Sequence, residues 1–281
     1  MMSKRILSFQ VFASKICTHK QRLFKRRKFN KTHFAPKIYK SKINLRYNDT
    51  LKAKALIIKR PKGHSEMDFN FIITYAPAFA KAGLLTLQVF ALGLLFSLLI
   101  GVACVLAAYF KFNALNKLCK AYIELSRNTP LLIQLFFLYY GLGRLGVNLS
   151  SFECAVVGLS FLGGSYMAES LRAGIEAVKK QQFEAGLSLG LNEWQNFRFV
   201  ILPQALGVAM PSISANAIFL FKETSVVSII ALPDLVQTMT SINSLTYKTD
   251  ELLFMLFMSY LIIILPLSLF LSRLEKRFAY G

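Results

Sequence analysis

Residues 184–203 read EAGLSLGLNEWQNFRFVILP, a polar, glycine-punctuated stretch set between two long apolar ones, and it decides how the rest of the chain is read. From Arg172 to Leu202 the apolar residues Ile175, Val178, Phe183, Leu187 and Leu191 recur at helical spacing among Glu176, Lys179, Lys180, Gln181, Gln182 and Glu184. That period predicts surface helices rather than a membrane span. Gly186 and Gly190 thin the backbone and permit a sharp turn. Asn192, with Gln195 three residues later, has the form of a capping box that starts a new short helix through Trp194 and Phe197. The expected product is a helix, a turn and a helix with one large aromatic, Trp194, offered to a partner pocket. An amphipathic connector lying on lipid headgroups fits the same period.

Outward from this island the chain is apolar. Of its 281 residues 54% are hydrophobic and its mean hydropathy is +0.46, which predicts a multi-pass, all-α membrane protein. A span needs about 20 apolar residues, and the gaps between charges give five, at about 83–108, 130–148, 154–172, 202–222 and 252–272. Lys111, Lys117, Lys120 and Arg127 follow the first span, Arg172, Lys179, Lys180 and Arg198 the third, and Arg273, Lys276 and Arg277 the fifth. The bias of Lys and Arg toward cytoplasmic loops puts these segments, the island among them, inside. The start of span one then lies outside and the C-terminus in the cytoplasm.

The net charge of +20 is unevenly placed. Residues 1–66 hold 19 of the 34 basic residues against only Asp49 and Glu66, and all three histidines, His19, His33 and His64. This basic leader has no long apolar period and no h-region of a secretory signal. An RNA- or lipid-binding arm, a targeting segment, and sequence upstream of the true start all fit. The favoured expectation is that translation begins at Met67, just before Asp68 and the first span, and that the leader is outside the native protein or disordered. Intact mass decides it. The cysteines Cys17, Cys104, Cys119 and Cys154 show neither CxxC nor metal-like spacing, so no disulfide framework and no metal site is expected.

The island also resembles a known family. Glu184-Ala185-Gly186, three residues, Gly190, nine residues, then Val200-Ile201-Leu202-Pro203 resembles the EAA loop of ABC importer permeases, with Gly186 in place of the second alanine and Val200 in place of isoleucine. YIELSRNTPLLIQLFFLYYGLG (122–143), SYMAESLRAGIEAVKKQQFEAG (165–186), LPQALGVAMP (202–211) and KETSVVSII (222–230) are similar to segments of its polar amino-acid uptake branch. The likeness starts near residue 67 and leaves the leader untouched.

This resemblance implies the membrane subunit of an ATP-driven amino-acid importer in the bacterial inner membrane. Its partners would be a dimer of cytoplasmic ABC ATPase subunits, a second permease subunit as homo- or heterodimer, and an extracytoplasmic substrate-binding protein. Glu184, Ala185, Gly186 and Gly190, with Asn192, Glu193 and Trp194 in the following turn, would dock on the ATPase as a coupling helix. The chain has no GxxxxGK[ST] phosphate loop, so it is expected to be no enzyme, to carry no cofactor of its own, and to leave ATP and magnesium to its partner.

For the substrate path or gate the sequence offers Glu169, Arg172, Asn216, Lys222, Glu223 and Thr224. Glu169 and Arg172, three apart, also read as a local pair, and Lys222 as an interfacial snorkel. Thr129, Gln134, Ser165, Tyr166 and Ser214 are further polar groups near spans, for which bonds between helices are the commoner use. Rival functions are weaker. An ion channel or secondary carrier would need no ATPase, but does not explain the island and shows no inverted repeat. An intramembrane hydrolase lacks histidine after His64 for Ser-His or Cys-His chemistry. Nucleic-acid binding would rest on the leader alone, and no nucleic-acid partner is expected.

Overall fold

The computed structural model describes residues 67–279, which are helical with no strand among them. The basic leader, and with it Cys17 and the histidines, lies outside the described residues. Helix α1 spans Phe69–Tyr109 and starts well before residue 83, because Asp68 caps it by accepting from the Phe71 amide at 3.1 Å. Its 41 residues extend about 60 Å at 1.5 Å per residue. A turn through Lys111, at φ 55°, leads to α2, Asn113–Asn128.

The sequence reading left α2 as a connecting loop; it is an amphipathic helix. Tyr122 and Ser126 on its inner face both donate to the Phe161 carbonyl, at 2.6 and 2.9 Å. It ends at Thr129, which is extended as the residue before a proline tends to be. Pro130 then leads into α3, Leu131–Arg144, interrupted by a π turn at Phe137–Gly141. At about 21 Å, α3 falls short of a bilayer core of about 30 Å.

Helix α4, Ser151–Ala177, is opened by a capping box between Ser150 and Glu153 and is the most enclosed helix of the fold. Its glycines allow close approach on every side. A Cβ at Gly163 would stand 2.2 Å from Ser97 Oγ of α1, and one at Gly174 would stand 2.4 Å from the Ala205 carbonyl oxygen. Such small-residue seams are how helices pack in lipid, where burial of apolar surface supplies little drive.

After α5, Lys180–Ser188, the chain runs as one helix α6 from Glu193 to Ile230, 38 residues with a π turn at Phe197–Ile201 and a 3-10 end at Thr224–Ile230. The short helix expected at Trp194 and the span expected from residue 202 are therefore one element. Helix α7, Leu235–Thr246, is capped by Asp234, and α8, Thr249–Ala279, closes the bundle. Lys248, just before α8, pairs with Asp68 at the start of α1 and lies over the Phe71 ring.

Among the described residues four helices, α1, α4, α6 and α8, have the length and composition to cross a membrane, with α3 a shorter apolar helix. The main core gathers Val89 and Phe90 of α1, Leu135 of α3, Leu159 of α4 and Phe221 of α6. Leu95, Leu99, Phe257, Ile262 and Leu269 remain exposed on α1 and α8. A surface of that kind faces lipid or another subunit in a membrane protein.

Candidate functional site

The island folds into a tight elbow. The amide of Gly190 donates to the Leu187 carbonyl at 2.9 Å and that of Leu191 to the Gly186 carbonyl at 3.3 Å, which is a Schellman ending of α5. Gly190 occupies its left-handed position at φ +82°, where a side chain would be strained. Asn192 then opens α6 as the sequence predicts: its side chain accepts from the Gln195 amide at 2.8 Å, and Gln195 accepts from the Asn192 amide at 3.0 Å.

Gly186 has a different part from the one expected of it. It lies inside α5, buried, and makes no turn. A Cβ there would stand 2.1 Å from Asn196 Oδ1, so the absent side chain is what lets Asn196 pack against α5. Asn196, fully buried, donates from Nδ2 to the Phe183 carbonyl at 2.8 Å and so ties the two arms together.

Glu184 and Ala185 face outward, and Glu184 pairs with Lys180 at 3.1 Å. Leu189 is 81% exposed and Trp194 51%. The covered part of Trp194 stacks on Phe197 and leans on Phe110, with ring centroids 5.9 Å apart in each case. Trp194 is thus half exposed and half anchor, joining the elbow to the end of α1. Glu193 stands beside it in the first turn of α6, exposed.

On the flank of α4 lies a charged ladder. Glu169 accepts from Arg172 at 3.0 Å and pairs with Arg127 at 3.2 Å, and Arg172 continues to Glu176 at 2.7 Å. The local pair read from the sequence is one part of this ladder. Glu169 and Arg172 also line a cleft of about 480 Å³ between α1, α2 and α4.

Arg127 looks the other way into a second cleft, of about 380 Å³, shared with Thr129, Tyr166, Phe219 and Glu223. Its guanidinium carbon is 5.3 Å from the Tyr166 ring centroid. A cation, a carboxylate and hydroxyls in one recess can receive a zwitterion. The sequence reading used Arg127 only as an orientation marker. Its place directly before the Asn128-Thr129-Pro130 break is the signal that was available.

The other polar candidates are largely occupied. Gln134 Nε2 donates to Thr129 Oγ1 at 2.8 Å, and Ser165 Oγ donates to the Leu162 carbonyl at 2.7 Å. Asn216 Nδ2 donates to Ser170 Oγ at 2.8 Å, and Ser170 meets Ser212 at 2.8 Å, stitching α4 to α6. Ser214 is buried with its hydroxyl unpartnered. Thr224 is buried and donates to the Phe221 carbonyl at 2.7 Å, while Lys222 is exposed. No cluster of metal-ligating side chains occurs among the described residues.

Residues 93–280 match the family described as "Binding-protein-dependent transport system inner membrane component". The chain is 42% identical over 161 residues to the probable amino-acid ABC transporter permease protein PatM of Vibrio harveyi, covering 56% of this chain and 72% of that protein. It is 32% identical over 214 residues to the glutamine transport system permease protein GlnP of Escherichia coli K12, covering 75% of this chain and 98% of that protein.

A crystal structure of an amino acid ABC transporter with histidines superposes with TM-score 0.70 at 33% identity, covering 75% of this chain and 99% of that one. An inward-facing MetNI methionine ABC transporter shares the fold, with TM-score 0.62 at 16% identity over 73% of this chain and 98% of that one. The all-α architecture, the elbow sequence and these likenesses agree: the chain belongs to the binding-protein-dependent transport system inner membrane components, and it is a multi-pass permease subunit of an ABC importer, a translocation subunit and not an enzyme.

Proposed function

We propose that this permease carries a polar amino acid, and that the elbow of α5 and the start of α6 is its coupling helix. The amino-acid class is supported by the named relatives and by the cleft where Arg127 and Glu223 present opposite charges. A substrate carboxylate would meet Arg127 and its ammonium would meet Glu223, since charge-assisted hydrogen bonds are the strong ones. Glu169 of α4 holds Arg127 in place, and Arg172 in turn pairs with Glu169. Asn216 and Thr224 position helices, and Lys222 lies at the rim.

The observation that carries the coupling role is continuity. The exposed elbow is fastened to α6 through Asn196 and to α1 through Trp194, and α6 runs without a break from Glu193 to Ile230. A push on the elbow is therefore delivered along a rigid helix rather than absorbed in a hinge. ABC importers draw on an ATPase and a binding protein. Here the ATPase dimer would bind ATP and magnesium, close, and move the elbow, and rigid packing would open the path to the other side. The Lys and Arg bias supports a cytoplasmic elbow and C-terminus with the start of α1 outside, an orientation in which the short α3 and its flanking turns make the fifth crossing. A second permease subunit, identical or sister, would complete the path.

Charge reversal at Glu184 and, in a separate variant, deletion of Glu184–Gly190 test this. Uptake should be abolished and the ATPase should no longer co-purify, while the membrane helices of the extracted protein stay folded. Normal uptake with retained ATPase refutes the coupling role.

A further inference from the structure

Helices α1 and α2 form an antiparallel hairpin, and each brings one cysteine to the same height. Cys104 lies five residues before Tyr109, and Cys119 six after Asn113, so they stand roughly 8 and 9 Å from the turn at 1.5 Å per residue. Both line the cleft between α1, α2 and α4, together with Lys120, Glu124, Glu169 and Arg172. The helix register thus sets both side chains on the wall of one cleft. Cys104 is nearly buried, whereas Cys119 is half-buried at the cleft wall, so one thiol is accessible and the other waits behind it. A solvent-accessible thiol beside a second, resolving one is an arrangement that reversible thiol oxidation often uses.

We propose that Cys104 and Cys119 are a redox modification site: a peroxide oxidises the pair to a disulfide that pins α2 to α1. The Cys119 thiolate attacks hydrogen peroxide, its sulfur gains an oxygen, the O–O bond breaks, and water leaves once protonated. The Cys104 thiol then attacks the sulfenic sulfur, the S–S bond forms, the S–O bond breaks, and a second water carries off the thiol proton. Two thiols have lost two electrons and one peroxide has become two waters. A thiol reductant of the glutathione or thioredoxin class reverses the step by exchange. In a cytoplasm that keeps thiols reduced, such a bond is transient, as regulatory disulfides are.

The consequence follows from what α2 holds. Tyr122 and Ser126 already fasten it to the Phe161 carbonyl of α4, and Arg127 at its end reaches Glu169 and the proposed substrate cleft. Pinning α2 to α1 as well makes one rigid body of three helices. It removes the movement of Arg127 that alternating access would need. This effect on transport rests on the proposed substrate path; the bond itself does not.

The test uses the intact transporter with its ATPase and binding protein in proteoliposomes. After a hydrogen peroxide pulse, free thiols are alkylated, the permease is digested without reduction, and peptide masses and uptake are read in parallel. A peptide linking Cys104 to Cys119 is expected, lighter by two hydrogens than the separate pair, with loss of uptake that dithiothreitol restores. C119S and C104A should transport normally and ignore peroxide, whereas C154A should respond like the wild type.

Absence of the linked peptide, or Cys119 driven to sulfinic acid with Cys104 unlinked, overturns the site. A linked peptide with unchanged uptake overturns control of transport, as does peroxide sensitivity that persists in C119S. Failure of the untreated complex to transport an amino acid would strike at the transport reading instead, since the mass readout stands apart from it.

Discussion

Replacing Gly186 by alanine would bring this chain nearer to the usual EAA pattern of its family, and the structure predicts that it does harm. The new Cβ would sit 2.1 Å from Asn196 Oδ1, 2.6 Å from Cγ and 3.0 Å from Nδ2, all on a side chain that is fully buried. The amide must retreat by about 1 Å to reach ordinary contact, and overpacking of that kind costs about 1–3 kcal/mol. Retreat also stretches the Nδ2 bond to the Phe183 carbonyl, a loss of about 1 kcal/mol. Against this, alanine favours the helix over glycine by about 1 kcal/mol. The net is a destabilised elbow, by roughly 1–3 kcal/mol. ATPase affinity for the purified permease should fall by about 5- to 100-fold if that loss is carried into docking, since 1.4 kcal/mol is tenfold.

The assay is a double-mutant cycle with Asn196→Ala, read by ATPase retention and by hydrogen exchange at the amides of Gly190 and Leu191. In the Asn196→Ala background the obstruction is gone, so G186A becomes neutral or stabilising, and the coupling between the two sites is about 1–3 kcal/mol. If G186A matches the wild type in both backgrounds, the reasoning from close packing is wrong.

Three further outcomes follow from other parts of the fold. Gly174→Leu must displace the Ala205 backbone carbonyl rather than a flexible side-chain end, parting α4 from α6 at a cost of about 3 kcal/mol or more; a wild-type melting temperature in detergent would contradict this. The Asp68 carboxyl is held below its ordinary value of 3.8, chiefly by its hydrogen bond to Lys248 and then by the Phe71 amide. A lowered carboxylate pKa means the clasp stabilises above 3.8 and is lost as pH falls through the folded value. Asp68→Asn should therefore melt lower than the wild type at neutral pH and converge with it in acid, and a gap that ignores pH would exclude the ion pair as its cause. Glu223→Gln removes a charge from the proposed zwitterion cleft and should raise the substrate concentration for half-maximal uptake by about 10–100-fold with ATPase docking intact, as for a lost charge-assisted bond of about 1.5–3 kcal/mol; unchanged uptake would take Glu223 off the path.

What the sequence could show depended on the range of the force involved. Runs of apolar residues between charges located α1, α4, α6 and α8, because hydropathy is a property of a stretch and survives without knowledge of neighbours. The Asn192 cap was legible for the same reason, its partner being three residues away. Searching only for uncharged gaps concealed α2, although Cys119, Tyr122, Ile123 and Ser126 already mark one helical face among its lysines. Spacing alone also divided α6 in two, since polar Trp194-Gln195-Asn196 looks unlike a span until it is seen to continue into one.

Gly186 marks the limit most clearly. Read locally, a glycine near Ser188 and Gly190 belongs to the turn, but the left-handed position that the turn needs is filled by Gly190, and Gly186 lends the Schellman motif only its carbonyl. The reason for Gly186 lies ten residues on, in a buried amide that needs the space a methyl would fill. In this chain the glycine at 186 is tied to its partner at position 196. That predicts a general dependence: the elbow accepts alanine at 186 only when the residue at 196 is small enough to leave room for it.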